Sequence, residues 1–255
     1  MKLIHLLQAW SRYSNRMEIW KNALLGRQPG RLCLAGGMQI TAPPHCDLLT
    51  ITDDIFFKQV YTHGPVQVEA GDVVVDIGAN VGVFSLYAAA RTNQRVLSYE
   101  PYPENYEFLL CNLRDNRVAH VDTRQAAVTD ILGVAQLYIA PRSGGHLMFD
   151  HGIKGKLTET VEVPSVTLPS ILENETLERI DFLKMDCEGS EGMILRSTPP
   201  EMLRRIRKIA MEYHDNVSPL SHEEMQQLLQ RNGFQTALRG KEDSPFGMLY
   251  AWREA

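Results

Sequence analysis

The 255-residue sequence has no long apolar run, few cysteines and no surplus of positive charge. No segment approaches the roughly 18 consecutive apolar residues that a membrane-spanning helix needs. The four cysteines form no C-x-x-C pair and have no histidine at zinc-ligand spacing. This pattern argues against a disulfide framework or a structural zinc site and predicts that the protein is located in the reducing cytoplasm. The net charge of -5 argues against a general nucleic-acid coat, since phosphate binding needs excess lysine and arginine.

The charge is unevenly distributed along the chain. Residues 1–31 hold six cations against one anion, a net +5, which leaves -10 for the rest of a chain whose total is -5. Apolar residues at three- and four-residue steps predict one amphipathic helix over 3–24. Its apolar face would comprise Leu3, Leu6, Leu7, Trp10, Tyr13, Met17, Trp20 and Leu24. Such a helix packs on its own domain or on a dimer mate, or else touches an anionic membrane surface or a carrier protein.

The first 65 residues are predicted to form an N-terminal cap. After the helix, residues 31–41 indicate a hairpin around Gly36-Gly37, and a short helix is predicted around 53–62. Gly64-Pro65 then marks a turn. The predicted domains are therefore the cap, 1–65, and a main domain, 66–255.

Strand and helix patterns alternate through the main domain. Strands are predicted at 72–77, 95–100, 118–128, 134–140, 161–166, 180–186, 208–214, 235–238 and 247–252, and helices at 83–91, 103–115, 190–206 and 222–231. This order predicts an α/β fold with a mostly parallel sheet, helices on both faces and an antiparallel C-terminal edge. The Gly-rich segment 141–160 is predicted to be a loop over a pocket.

A glycine-rich turn, D-x-G-x-N-x-G, begins at Asp76 between a predicted strand and a predicted helix. Gly78 and Gly82 permit a tight turn and close approach of a ligand, and the turn's N–H groups offer hydrogen-bond donors. In open parallel sheets, ligands bind outside the carboxyl ends of the strands. The simpler alternative is a structural turn with no ligand.

The next strand ends in Glu100-Pro101, 24 residues after Asp76. An acid at this place accepts hydrogen bonds from both hydroxyls of a ribose, which indicates an adenosine-containing cofactor. A dinucleotide fingerprint would be G-x-G-x-x-G, whereas here Asn80 crowds the turn and Asp76 would repel a pyrophosphate. S-adenosylmethionine has an ammonium group, a carboxylate and a ribose but no phosphate, so it fits better than NAD.

Acidic residues follow the strand 180–186. Asp186 and Glu188 would emerge at the same sheet edge as the glycine turn, where they can orient a nucleophile or accept its proton. The alternative is that Asp186 and Glu191 cap the next helix. On the following strand His214 is placed as a general base or substrate ligand. A divalent cation held by Asp186, Glu188 and His214 is a further alternative that the spacing does not favour.

Several segments together make the sequence resemble the FkbM family of S-adenosylmethionine-dependent methyltransferases. They are VVVDIGANVGVFS (73–85), YEPYPENYEFLLCNL (99–113), AAVTDILG (126–133), IDFLKMDCEGSEGMIL (180–195) and MEYH (211–214). The resemblance implies a class I, Rossmann-like methyltransferase fold. It implies a methionine site around Asp76, Gly78, Asn80 and Gly82 and ribose contacts from Glu100, to which we add Ala79, Pro101 and Asp186 as cofactor contacts. TLPS (167–170) departs from a family pattern that often has Asp after TL.

The resemblance implies methyl transfer to a hydroxyl of a sugar, glycolipid or secondary metabolite. The predicted catalytic residues are His214, Asp186 and Glu188, without a metal. The alternatives are an N- or carboxyl-methyltransferase acting on a small molecule, or a nucleotide-binding module that has lost catalysis. Nucleic acid is not an expected substrate, because residues 32–255 carry a net charge of -10, the total of -5 less the +5 of residues 1–31. Such a surface repels phosphate groups.

Overall fold

The computed structural model describes residues 11–139, 159–240 and 244–254. Its strands in chain order are β1 (Arg31–Cys33), β2 (Gln39–Thr41), β3 (Val74–Ile77), β4 (Val96–Tyr99), β5 (Val121–Arg124), β6 (Ala127–Thr129), β7 (Gly133–Tyr138), β8 (Thr160–Thr167), β9 (Ile180–Met185), β10 (Ile206–His214), β11 (Gln235–Arg239) and β12 (Phe246–Trp252). Its α-helices are α1 (Arg16–Leu24), α2 (Leu48–Thr52), α3 (Val83–Ala89), α4 (Pro103–Asp115), α5 (Leu168–Asn174), α6 (Glu191–Ser197), α7 (Pro200–Leu203) and α8 (His222–Arg231).

A seven-stranded sheet in the order β11-β12-β10-β9-β3-β4-β5 forms the centre of the fold. The five strands from β10 to β5 are parallel, and β12 runs antiparallel to both β10 and β11. The predicted parallel sheet with an antiparallel C-terminal edge is confirmed. Every residue of β3 and of β9 is buried, as expected of strands covered on both faces.

Two hydrophobic cores lie on the two faces of this sheet. Alternation along β3 places Val74 in one core and Val75 in the other. The first core includes α3, α4 and the N-terminal region, and the second includes α5, α6 and α8. Ser221 and Glu224 form a capping box that opens α8, which confirms the helix predicted at 222–231.

The predicted strand 118–128 is instead two strands in different sheets. β5 closes the edge of the central sheet, whereas β6 joins β8 and β7 in a small three-stranded sheet of order β6-β8-β7. The chain leaves the central sheet here because Ala127 is buried with Leu137 and Val163 in a separate apolar cluster. Nearly all of the predicted loop 141–160 lies outside the described residues.

The prediction of one continuous helix over 3–24 is wrong within the described residues. Tyr13 pairs with Leu34 in an isolated bridge, and α1 begins only at Arg16. Met17 and Leu24 are 71% and 84% exposed, although the predicted apolar face included both. The Tyr13 hydroxyl donates a hydrogen bond to Asp53, and this tertiary contact overrides the local helical pattern. Leu3, Leu6, Leu7 and Trp10 lie outside the described residues.

The predicted hairpin at residues 31–41 is confirmed as β1 and β2, paired antiparallel. The predicted helix at 53–62 begins earlier, because Asp47 caps α2, and it continues as a π-helical turn over Asp53–Phe57. Ile55 of this turn belongs to the same core as Phe84 of α3 and Phe182 of β9. The cap therefore packs directly on the main sheet, and the boundary at residue 65 stays a prediction. In the described ranges, no helix has the length and apolar character to cross a membrane.

Candidate active site

The glycine turn between β3 and α3 is held tightly against its neighbours. Gly78 and Gly82 have φ of +75° and +86°, in the left-handed region that favours glycine. A Cβ on Gly78 would lie 1.9 Å from the carbonyl oxygen of Asp186, and one on Gly82 would lie 2.5 Å from Leu109 Cδ1. Asn80 also has a positive φ, of 51°. Both predicted glycine positions are thus required by backbone conformation and close packing.

Glu100 is buried at the end of β4 and accepts two backbone hydrogen bonds. Its Oε2 accepts from the N–H of Asn80 at 2.7 Å, and its Oε1 accepts from the N–H of Tyr102 at 2.9 Å. The Asn105 side chain also donates to this carboxylate, which has about four acceptor positions when ionised. Burial raises the Glu100 pKa to about 7, although these hydrogen bonds oppose that rise. Glu100 lines the cavity, where its remaining acceptor capacity is available to a hydroxyl.

Asn105 is a site residue that sequence reasoning missed. It is 2% exposed and lines the same cavity as Glu100. Its Oδ1 has no hydrogen-bond partner within the part of the chain that the structure describes. The only sequence signal was its place in the first turn of α4, five residues after Glu100.

Asp76, a predicted cofactor residue, lies behind the glycine turn. It is fully buried, its Oδ2 accepts a hydrogen bond from Ser85 Oγ at 2.7 Å, and its Oδ1 lies 3.2 Å from Lys184 Nζ. Burial acts to lower the Lys184 pKa, but the charges of Asp76 and Asp186 raise it overall. Asp76 therefore neutralises a buried lysine, and its place among the cofactor contacts stays a prediction.

Lys184, also missed from the sequence, ties this ion pair to the glycine turn. Its ammonium group donates hydrogen bonds to the carbonyl oxygens of Gly78, at 2.6 Å, and Ile77, at 3.2 Å. The lysine emerges from β9, a buried strand whose other residues are mostly apolar. A lysine in such a strand was the available signal, since buried lysines are almost always paired.

A cavity opens at the carboxyl ends of β3, β4, β9 and β10. Most of the predicted cofactor residues line it, whereas Asp76 and Gly82 lie behind the lining. The lining members of the predicted set are Gly78, Ala79, Asn80, Glu100, Pro101 and Asp186. The N-terminal region adds Ile51, Ile55, Val60 and Tyr61, and the small sheet adds Val128 and Leu137. The cavity is thus lined partly by segments in which no site residue was predicted from the sequence.

Carboxylates form one side of this cavity. Asp186, Glu188 and Glu212 all line it, so two predicted catalytic residues are brought together with a third acid. The Tyr61 hydroxyl donates to Asp186 Oδ2 at 2.6 Å, across 125 residues of sequence. Burial, followed by the charge of Asp186, raises the pKa of both Glu188 and Glu212 above the usual range.

His214 lies behind these carboxylates and does not line the cavity. Its Nε2 is 3.5 Å from Glu188 and its Nδ1 is 3.5 Å from Glu191. Burial acts to lower the His214 pKa, but the contact with Glu191 and the nearby charges raise it to about 10. His214 as the general base stays a prediction, and within the described residues the imidazole lies outside the cavity lining.

Glu191 is fully buried and orders the loop before α6. Its two carboxylate oxygens accept hydrogen bonds from the N–H groups of Cys187, at 2.8 Å, and Gly189, at 2.9 Å. Burial raises the Cys187 pKa well above the ordinary thiol value, and Glu191 adds to the effect. The alternative reading of Glu191 as a helix-start residue agrees with these contacts.

Comparison with known proteins gives the family. The sequence profile described as the Methyltransferase FkbM domain matches residues 76–236, which include the glycine turn, Glu100 and the carboxylate cluster. This chain belongs to the FkbM methyltransferase family. Its sheet topology and site position agree with the class I, Rossmann-like methyltransferase fold.

Two known methyltransferases and a solved structure resemble the chain over most of its length. It is 31% identical over 210 residues to "31-O-demethyl-FK506 methyltransferase FkbM" of Streptomyces tacrolimicus, covering 71% of this chain and 79% of that protein. It is 25% identical over 240 residues to "Methyltransferase sdnD" of Sordaria araneosa, covering 80% and 91%. The crystal structure of Methyltransferase FkbM from Methylobacillus flagellatus KT matches with a TM-score of 0.50 at 17% identity. That match covers 79% of this chain but only 47% of the solved one, and it shows the fold alone.

Proposed function

We propose that this FkbM-family methyltransferase transfers a methyl group from S-adenosylmethionine to a hydroxyl group of a small molecule. The observation that carries the proposal is Glu100, a buried carboxylate that lies beside the glycine turn and lines the cavity. That arrangement suits the two hydroxyls of a ribose. S-adenosylmethionine supplies an activated methyl group, so the protein's task is to bind and orient the reactants.

The residues present fit this cofactor. Gly78 lines the cavity with backbone alone, and the Asp186 carbonyl fills the place that a side chain would take. Asn105 offers a buried acceptor that no described protein group uses. Asp76 and Lys184 hold the turn's shape from behind, since Lys184 binds the carbonyl oxygens of Ile77 and Gly78.

The acceptor is proposed to carry a hydroxyl because of the acidic side of the cavity. Asp186, Glu188 and Glu212 can accept hydrogen bonds from an alcohol, orient it and take up the proton that it loses. A carboxylate acceptor would be repelled by the same groups, which disfavours carboxyl methylation. Nucleic acid is disfavoured for the same reason. The Streptomyces relative is named for methylation at an oxygen of FK506, which supports a hydroxyl acceptor here. The proposed acceptor is a sugar, a glycolipid or a secondary metabolite.

The partner of the N-terminal segment stays a prediction. Residues 3–10 lie outside the described part, whereas α1 exposes Met17 and Leu24. A dimer mate, an anionic membrane surface and a carrier protein all remain compatible with that exposure.

Titration calorimetry with S-adenosylmethionine tests the cofactor. Wild-type protein is expected to bind S-adenosylmethionine and not NADH. Glu100→Gln is expected to weaken binding about 10- to 100-fold, since hydrogen bonds to a charged group contribute about 1.5–3 kcal/mol. Glu107→Gln, an exposed glutamate on the same helix α4 as Asn105, is the matched control and should bind normally. Binding of NADH without S-adenosylmethionine would refute the proposal.

The acceptor class is tested with methyl-labelled S-adenosylmethionine and a panel of small molecules that carry hydroxyl, amine or carboxyl groups. Label should pass to hydroxyl compounds. Transfer to amines or carboxylates alone would favour the corresponding alternative. Cofactor binding without transfer to any class would favour a binding module that has lost catalysis.

A further inference from the structure

Three side chains at the ends of β9 and β10 converge behind the acidic side of the cavity. Asp186 follows β9, Glu191 begins α6, and His214 ends β10. One ligand atom from each of the three lies within 4.8 Å of the other two. The set differs from the sequence-based alternative, because Glu191 takes the place of Glu188.

Two of these groups have buried polar atoms that are not satisfied. Asp186 Oδ1 and His214 Nδ1 are both inaccessible to solvent and lack a hydrogen-bond partner in the ranges that the structure describes. His214 is 9% exposed, and its Nδ1 faces Glu191 Oε1 at 3.5 Å. A buried polar atom without a partner costs about 1–3 kcal/mol. The two atoms therefore point to a ligand that pairs with both.

Contacts within the cluster do not already satisfy it. A charge-assisted hydrogen bond between imidazolium and carboxylate is about 2.7–2.9 Å long, so both 3.5 Å distances of His214 are too long. Lys184 is 4.0 Å from Asp186 and is bound to Asp76 and to carbonyl oxygens of the glycine turn. Neither His214 nor Lys184 therefore makes a close charge-assisted hydrogen bond to Asp186 or Glu191.

The surrounding residues orient the three candidate ligands. Tyr61 donates to Asp186 Oδ2, which leaves Oδ1 free. Backbone N–H groups hold both oxygens of Glu191 and fix the direction of its carboxylate. Such outer contacts are typical of metal ligands, which need a fixed direction.

We propose that Asp186, Glu191 and His214 bind one divalent cation, with Mn²⁺ the metal best matched to two carboxylates and one imidazole. Binding replaces the proton on His214 Nδ1 with the metal. Asp186 also lines the cavity, so the ion would lie beside it. There, and on the basis of the proposed function, it would stabilise the negative oxygen of a bound hydroxyl.

The test is Mn²⁺ binding to the full chain, measured by electron paramagnetic resonance after treatment with EDTA and desalting. Wild-type protein should bind one Mn²⁺ per chain, and His214→Gln and Asp186→Asn should each weaken binding about tenfold or more. Circular dichroism checks that both variants fold. Two substitutions are used so that misfolding of one leaves the other as the test.

The matched control is a second cluster of the same composition, Asp215, His222 and Glu223. There His222 Nδ1 contacts Asp215 at 2.5 Å, so its imidazole is already paired. His222→Gln should bind Mn²⁺ like the wild type. Absent Mn²⁺ binding, unchanged binding in folded His214→Gln, or loss in His222→Gln would each overturn the site.

S-adenosylmethionine binding and methyl transfer, both measured in EDTA, separate this proposal from the proposed function. Methyl transfer at the full rate in EDTA, with no Mn²⁺ bound, would refute the metal site and leave the methyltransferase proposal intact. Mn²⁺ binding that depends on His214, without any S-adenosylmethionine binding, would support the site and refute the proposed function.

Discussion

Gly78 joins the glycine turn to the strand that carries Asp186. Substitution by alanine adds a Cβ 1.9 Å from the Asp186 carbonyl oxygen and 2.9 Å from its carbonyl carbon. Both contacts are with backbone, so the new methyl group can be accommodated only if β3 and β9 separate at their ends. The positive φ costs about 1–2 kcal/mol, and overpacking adds about 1–3 kcal/mol or more. We therefore expect Gly78→Ala to lower the free energy of unfolding by about 2–5 kcal/mol.

Two other glycines separate these contributions. Gly71 has φ of +94°, and a Cβ there meets no described atom within 4 Å, so Gly71→Ala should lose only the conformational part. Gly82→Ala meets the movable end of Leu109 and should fall between the two. Urea and thermal unfolding measure the series, at about 2–4 °C of Tm per kcal/mol for a domain near this size. Equal losses for Gly78→Ala and Gly71→Ala would refute the packing argument.

Two further predictions concern buried charges. Lys184→Met leaves Asp76 buried without its cation and should destabilise the protein by about 3–5 kcal/mol in urea unfolding. Adding Asp76→Asn should recover part of that loss, and a loss below about 1 kcal/mol for the single variant would contradict the pairing. The Glu100 pKa, near 7, lies above its unfolded value of 4.5, so its contribution to stability is full below pH 4.5 and disappears as pH rises through 7. The affinity for S-adenosylmethionine should depend on pH in the opposite direction, because the ribose hydroxyls need the ionised carboxylate. Affinity measured by calorimetry should rise about tenfold from pH 6 to 8, and Glu100→Gln should remove that rise. An unchanged pH profile in Glu100→Gln would exclude Glu100 as its source.

Local patterns in the sequence predicted the elements that build the cofactor side of the site. β3 and β9 are short apolar runs, and Ser221 with Glu224 forms a helix-start motif, so neighbouring residues suffice to identify them. The spacing between the glycine turn and Glu100 follows from one strand-helix-strand unit. These predictions succeeded because the interactions that decide them are close in the chain.

The failures come where a distant contact overrides a local pattern. The apolar residues around Tyr13 have helical periodicity. However, the Tyr13 side chain donates a hydrogen bond to Asp53, and the Tyr13 backbone pairs with Leu34. The chain between β5 and β6 reads as one strand, yet it divides between two sheets because Ala127 is buried in a separate cluster.

The sequence by itself determined the sheet, the glycine turn and the family, since each depends on short-range patterns or on motifs in order. Only the tertiary structure decided what several of the charged residues do. Asp76 and Lys184 are far apart in the sequence, and they pair because β3 and β9 are neighbouring strands. His214 lies against Glu188 and Glu191 because β9 and β10 are neighbouring strands. Charge in a buried site depends on every group within a few ångströms, and the order of residues does not specify those distances.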